Sequence, residues 1–275
     1  VITLGLIVHP TKPEAQSAAA KLRSLAEAKG IQIVDARESE RAEMVLALGG
    51  DGTILRGAAI AHRRGIPLLG VNVGRLGFLS TVEASRLEEA LDGVMNSSYG
   101  VQSRMMLETG DLDFPSDKTA KTALNEVSVE KATPARTIRV RVSIDREELV
   151  AYTADGFILA TPTGSTAYSL SAGGPVLEPS LEAMILTPVS AHSPLWRSSV
   201  VIQATHTVML EVLEGPAALS ADGETLRSLQ AGDRVAVRKH PDPLRLVTME
   251  DGSAHNAESA EGGAFFRKLK TRFHL

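Results

Sequence analysis

Cysteine is absent from this chain of 275 residues, which excludes a disulfide framework, a thiolate metal site and a cysteine nucleophile. Aromatic residues make up only 4% of it, little material for the stacking platforms that hold single-stranded nucleic acid. A basic excess is missing too. The formal charge of -4 argues against a dedicated nucleic-acid partner or binding to an anionic membrane. No long apolar run occurs: the opening VITLGLIVHP is too short to span a bilayer and has no basic leader, so it reads as a strand. The spacing of His, Asp and Glu suggests no structural metal site. A soluble cytoplasmic protein with no membrane and no nucleic-acid partner is the expectation.

What is present is enough apolar material, 43%, to fill one large core or two ordinary ones, at about 100–200 residues per domain. The first hundred residues alternate strand-like and helix-like stretches. ITLGLIV (2–8), IQIV (31–34), MVLAL (44–48) and IPLLGVN (66–72) read as strands. Between them, PEAQSAAAKLRSLAEAKG brings Ala15, Ala18, Ala19, Leu22 and Leu25 to one face, with Pro13 early and Gly30 at the end. TILRGAAIAHRRG (53–65) and EASRLEEALDGVM (83–95) are further helix candidates. This order predicts a parallel sheet covered on both sides. Beyond about residue 102 the texture changes: TIRVRVSID alternates strictly, and LEVLEG, DRVAVRKH and PLRLVTME read as short strands between turns. The expected organisation is an α/β layer domain over 1–102 and a β-sandwich over 103–255. Residues 256–275 are expected to return to the first domain through Phe265, Phe266 and Leu269. DFPSDKTAKT (113–122) is expected to be a surface loop.

Three stretches carry chemistry. In LALGGDGTILRG, an apolar run breaks into glycines around Asp51 and resumes as a helix pattern. Glycines let backbone N–H groups approach a ligand, and the helix start favours an anion, so phosphate binding is plausible. The loop lacks the Gly-Lys-Ser/Thr end of a P-loop, and Leu55 stands where a dinucleotide fingerprint needs its third glycine. Asp51 is then either a helix N-cap or a functional acid, which would hold a cation or accept a proton from an attacking hydroxyl. Second, TALNEVSVEK puts Asn125 and Glu126 at the start of a β run. There both could reach one ligand such as a ribose diol, or simply end a turn beside a solvated Glu. Third, TPTGSTAYSLSAGGPVLEP crowds Thr161, Thr163, Ser165, Thr166, Tyr168, Ser169 and Ser171 between glycines and prolines. This is either a loop folded over a polar ligand, with Tyr168 facing a purine, or a corner held by local hydroxyl-to-backbone bonds. Asp155 and Asp222 each precede glycine and read first as turn residues, and His192 and Trp196 as packing residues.

In this order GGDGT (49–53), LNEVSVEK (124–131) and TPTGSTAYSLSAGGPVLEP (161–179) resemble the bacterial NAD kinase family, from the first strand to the DGE at 222–224. GGDGT alone also occurs in diacylglycerol-type lipid kinases; the third segment is the specific one. The resemblance implies an α/β domain, a β-sandwich domain and a returning C-terminal segment. It implies transfer of a phosphoryl group from ATP, or in some members polyphosphate, to the 2′-hydroxyl of the adenosine ribose of NAD, giving NADP. Carried over by motif, Asp51 would be the general base. Backbone N–H groups of Gly49, Gly50, Gly52 and Thr53 would cradle donor phosphates, with Gly52 counted also among the substrate contacts. Asn125 and Glu126 would hold the ribose. Thr166, Ala167, Tyr168 and Ser171 would line the adenosine pocket with Phe78, and Asp155 would meet the nicotinamide end. Mg²⁺ or another divalent cation would accompany ATP, since such transfers are mostly positioning and charge neutralisation. A homodimer or homotetramer is implied. His9 departs from the asparagine common before Pro-Thr-Lys, and SAHSPLWRSS from the usual SPHSLSNRP. The alternatives are a lipid kinase and a non-catalytic NAD(P)-binding sensor.

Overall fold

Apolar strands feed helices along the first third of the chain, and the computed structural model shows the layered result. It describes residues 1–74, 77–110, 121–192, 197–249 and 257–273. Trp196 and residues 113–120 of the expected loop lie outside them. Two units result, Val1–Arg104 with Leu244–Leu275, and Met105–Pro243.

The first unit starts with β1 (Thr3–Val8), α1 (Pro13–Ala28), β2 (Gln32–Asp35) and β3 (Met44–Gly49). It continues with α2 (Asp51–Arg64), β4 (Leu68–Asn72), β5 (Val82–Glu83), α3 (Leu87–Met95) and β6 (Gly100–Arg104). β2, β1, β3 and β4 pair in parallel in that order. All six residues of β3 are buried, as expected for a strand covered on both faces. Leu4, Leu6, Leu46, Leu48, Leu69 and Val71 share a core with Ala15, Ala18, Ala19 and Leu22 of α1 and with Leu87, Leu91 and Val94 of α3. Pro13 opens α1 and Gly65 closes α2 in the left-handed region at φ 61°, which glycine enters without steric cost.

Among the described residues of the second unit the regular elements are strands, apart from one short helix and a 3₁₀ turn. Its strands are β7 (Leu107–Gly110), β8 (Lys121–Ala123), β9 (Glu126–Lys131), β10 (Ile138–Ile144), β11 (Glu147–Ala154) and β12 (Gly156–Ala160). After α4 (Tyr168–Ser171) come β13 (Ala183–Val189), β14 (Val200–Gln203), β15 (Val208–Glu214), β16 (Ala217–Ala221), β17 (Glu224–Leu229) and β18 (Arg234–Lys239). They form two sheets, ordered β11-β10-β15-β18-β7-β8 and β14-β13-β12-β9-β16-β17. Every pairing in them is antiparallel. Val140, Val142, Leu210 and Val237 of one sheet share a core with Val127, Val129, Phe157 and Leu159 of the other, the arrangement of a sandwich.

Two expectations change. PLRLVTME does not belong to the sandwich: β19 (Leu244–Thr248) pairs parallel with β4 and antiparallel with β6. The return to the first unit thus comes at Leu244, ahead of 256. Short apolar strands look alike wherever they pair, so their spacing could not assign this one. In α5 (Ala257–Phe273), Phe265 is buried against Phe78, with ring centroids 6.5 Å apart, whereas Phe266 is 56% exposed.

Candidate active-site residues in the two units

In the α/β unit β3 ends at Gly49, Gly50 caps α2 in an extended conformation, and Asp51 is the first helical residue. Asp51 therefore does not cap its own helix. Its carboxylate instead accepts the Phe78 N–H at 3.1 Å on Oδ2 and the Leu79 N–H at 3.2 Å on Oδ1. Gly77 lies so close to that carboxylate that a Cβ there would overlap Asp51 Oδ1. The Thr53 and Ile54 amides donate to the Gly50 carbonyl at 2.9 and 3.2 Å. The Thr53 N–H is thus engaged, while amides of a helix's first positions have no partner four residues back. The Lys12 ammonium stands 3.9 Å from where a Cβ on Gly50 would be. His9 Nδ1 accepts the Thr11 and Lys12 amides, each at 3.3 Å, ordering the loop that carries Lys12.

In the β unit the Asn125-Glu126 turn is held from a distance in sequence. Asp222 stands in a turn at φ 48°. Its carboxylate accepts the N–H groups of Leu124, Asn125 and Glu126 at 2.8, 2.7 and 3.2 Å. Thr161 reinforces the turn, donating its N–H to the Asn125 carbonyl at 2.9 Å and its hydroxyl to the Leu124 carbonyl at 2.6 Å. Gly164 passes so close to Asn125 that any Cβ would strike its carbonyl. Glu126 is buried, and its Oε2 has no hydrogen-bond partner among the described residues. Burial first, and then the charges of Asp222 and Glu130, push its carboxyl up to about 7, against the pull of the Tyr168 amide. Burial also raises Asp222, although its three amide bonds oppose the shift.

The hydroxyl-rich segment resolves into two sets. Thr161, Ser165 and Ser169 are buried. Thr161 and Ser165 bond to backbone, with the Ser165 hydroxyl donating to the Pro162 carbonyl at 2.6 Å, and Ser169 bonds Thr187 at 2.9 Å. Of these only the Ser165 bond is local to the corner; Thr161 and Ser169 tie it to residues 37 and 18 positions away. Thr166, Ala167 and Tyr168 remain half-buried and Ser171 is exposed. The Tyr168 hydroxyl donates to Glu130 at 2.7 Å, and Glu130 accepts the Ser128 hydroxyl at 2.8 Å. Burial and then that bond to Glu130 raise the phenol's pKa, so Tyr168 stays protonated. Asp155 pairs with Lys131 at 2.8 Å. His192 is exposed, not packed, with its N–H bonded to the Thr153 carbonyl at 2.9 Å.

Gly49, Gly50, Asp51, Gly52, Thr53 and Phe78 thus belong to the α/β unit, and Asn125, Glu126, Asp155, Thr166, Ala167, Tyr168 and Ser171 to the β unit. Sequence reasoning missed Lys12, Glu130 and Lys268 and left Asp222 as a turn residue. Only Asp222 carried a signal, the Asp-Gly turn, and that turn concealed its second use. Among the described residues no group of three or more His, Asp or Glu side chains is arranged to hold a metal ion. Nor is any described helix long and apolar enough to cross a membrane.

Both units match known families. A model of the ATP-NAD kinase N-terminal domain covers residues 32–99, and one of the ATP-NAD kinase C-terminal domain covers 124–249. An NAD kinase of Moorella thermoacetica is 35% identical over 283 residues, 95% of this chain and 90% of that protein. NAD kinase 2 of Streptomyces coelicolor is 40% identical over 77% of this chain and 70% of its own. The crystal structure of an NAD kinase from Archaeoglobus fulgidus in complex with ATP superposes with a TM-score of 0.79 at 25% identity, covering 98% of this chain and 99% of that one. Yeast NADH kinase complexed with NADH has the same fold, with a TM-score of 0.80 at 24% identity over 91% of this chain and 84% of its own. The glycine loop that lipid kinases share is therefore found here with the β unit that identifies a different family. The chain belongs to the NAD kinase family.

Proposed function

We propose that the chain phosphorylates the 2′-hydroxyl of the adenosine ribose of NAD, with ATP as donor, giving NADP and ADP. The observation that carries this is the setting of Asp51. An acid at the head of α2, bonded to the amides of Phe78 and Leu79 and not to its own helix, is an aimed carboxylate beside a helix N-terminus suited to phosphate. In the proposed step Asp51 takes the 2′-hydroxyl proton as the oxygen attacks the γ-phosphorus and the bond to the ADP oxygen breaks. A carboxylate is a weak base, so alignment supplies most of its effect.

Amides of Gly49, Gly50, Gly52 and Thr53 serve the donor phosphates in this reading, although the Thr53 N–H must exchange its bond to Gly50 to take part. Lys12 adds a cation near the same loop. Asn125 and Glu126 hold the ribose, Glu126 through its unpartnered Oε2. Thr166, Ala167, Tyr168, Ser171 and Phe78 serve the adenosine, and Asp155 the nicotinamide end. Mg²⁺ or another divalent cation enters with ATP as part of the substrate. Its remaining ligands would be phosphate oxygens and water, since the described carboxylates form no cluster able to hold it alone. A homodimer or homotetramer in the cytoplasm completes the proposal.

The test incubates purified protein with MgATP and NAD and detects NADP with an NADP-specific dehydrogenase. NADP should form with the intact chain, and Asp51→Asn should lower kcat by about 10²–10⁴-fold, the range for loss of a general base. If no NADP forms under any divalent ion or with polyphosphate, the kinase reading is wrong. If Asp51→Asn turns over normally, only the base assignment fails.

A further inference from the structure

The segment that grips Asp51 is itself gripped from the opposite side. From α5, the Lys268 ammonium donates to the Phe78 carbonyl at 2.9 Å and the Ser80 carbonyl at 2.6 Å. The Phe78 carbonyl and the Leu79 N–H are two ends of one peptide group. One end meets Lys268 and the other meets Asp51. A trans peptide is planar, with its C=O and N–H pointing in opposite directions, so whatever fixes the carbonyl also aims the amide. The dipole of that group lies with its positive end on the carboxylate and its negative end on the ammonium, an arrangement favourable at both ends.

Neighbouring contacts define what Lys268 adds. Beyond Ser80, the Thr81 N–H donates to the Gly70 carbonyl of β4 at 2.9 Å, which anchors the far end of the segment. Before it, Gly77 allows the chain to approach the Asp51 carboxylate. Phe265 packs on Phe78 and docks α5 by apolar contact, but a ring contact does not set the rotation of a peptide plane. Lys268 is half-buried, and burial together with Arg104 pulls its pKa down to about 8, with Asp51 opposing. An apolar residue in its place could keep the packing of α5 but would leave the Phe78 and Ser80 carbonyls without this donor.

We propose that Lys268 is a positioning residue for Asp51, acting through the Phe78–Leu79 peptide. The C-terminal helix then contributes to turnover without touching a substrate. This rests on Asp51 being the base that accepts the 2′-hydroxyl proton.

The experiment compares Lys268→Met, Lys268→Arg and Asp51→Asn in the full chain with NAD and MgATP. Turnover is referred to NAD-binding sites counted by calorimetric titration, so unfolded protein is not included. Lys268→Met should lower kcat by about 10–100-fold, the scale of an ångström-sized misplacement of a reacting group, with KM for NAD within about twofold. Lys268→Arg keeps a cationic donor and should recover most of that loss. Lys268→Met with normal kcat per site, beside an inactive Asp51→Asn, overturns the proposal and leaves the base assignment intact. A loss confined to the number of folded sites, with normal kcat in those remaining, overturns it as well. Normal turnover in Asp51→Asn would instead sink the base reading on which the proposal stands. If Lys268→Met yields no folded sites, Lys268→Arg decides: near-normal kcat supports the proposal, and a loss as deep as that of Asp51→Asn overturns it.

Discussion

The two units treat their central carboxylates in opposite ways. In the α/β unit Asp51 accepts two backbone amides and lies near the Lys268 ammonium, so both of its oxygens are already partnered. In the β unit Glu126 is buried with one oxygen unpartnered among the described residues, and Asp222 and Glu130 raise its pKa further. The difference suits the roles proposed for them. A base must be aimed before the substrate arrives. A hydroxyl-binding acid can stay unsatisfied until the ligand supplies the missing bond, which makes binding more favourable by the cost already built into the free protein.

Breaking the β unit's side of this contrast should have the largest effect. Asp222→Ala would leave the amides of Leu124, Asn125 and Glu126 without their acceptor, at roughly 1–3 kcal/mol for each buried donor left unpaired. A total loss of about 4 kcal/mol in urea unfolding is expected, with a raised KM for NAD. A loss below about 1 kcal/mol would mean that Asp222 is an ordinary turn residue.

Glu126→Gln sharpens the contrast through pH. The folded pKa is raised from 4.5 to about 7, so Glu126 contributes its full stability below pH 4.5. That contribution is lost as pH rises to 7, and the cost is at most about 3 kcal/mol above it. The unfolding free energy of the wild type should therefore fall between these limits relative to Glu126→Gln, and run parallel to it above pH 7. NAD affinity should tighten as the wild type passes pH 7, where the carboxylate forms, and this step should vanish in the variant. Parallel stability curves throughout would show that the acid is solvated as an ordinary surface group is.

On the α/β side, Gly77→Ala introduces a Cβ where the Asp51 carboxylate now lies. A fall in kcat of about 30–100-fold with near-normal KM for NAD is expected, as for displacement of an aimed group. A matched rise in KM would place the damage elsewhere. The smallest effect belongs to Tyr168→Phe, which removes the bond to Glu130 at 2.7 Å. A loss of about 1 kcal/mol in stability is expected for one such hydrogen bond, together with a few-fold rise in KM for NAD. An unchanged KM would remove Tyr168 from the adenosine site.

Much of the scaffold was legible because its signals are local. Pro13, the period of Ala15, Ala18, Ala19 and Leu22, and the glycines closing α1 and α2 marked two helices to within a few residues. Strict alternation in TIRVRVSID marked β10. The turn carrying Asn125 and Glu126, and the segment carrying Thr166 and Tyr168, were also visible as motifs. The fate of individual hydroxyls was not. Thr161, Ser165 and Ser169 have the same chemistry as Thr166 and Ser171, and only their burial separates the two sets.

Read alone, then, the sequence determined an alternating α/β half, a β-rich half and three motifs of one family, since periodicity and turn chemistry act over a few residues. The tertiary structure decided the partners. It took β19 into the first sheet, gave Asp222 to a turn 96 to 98 residues away, and brought Lys268 to Phe78 and Ser80 across 190 and 188 positions. It also turned Asp51 away from capping its own helix. A carboxylate takes whichever donors packing brings within about 3 Å, and nothing in its neighbouring residues states which those will be.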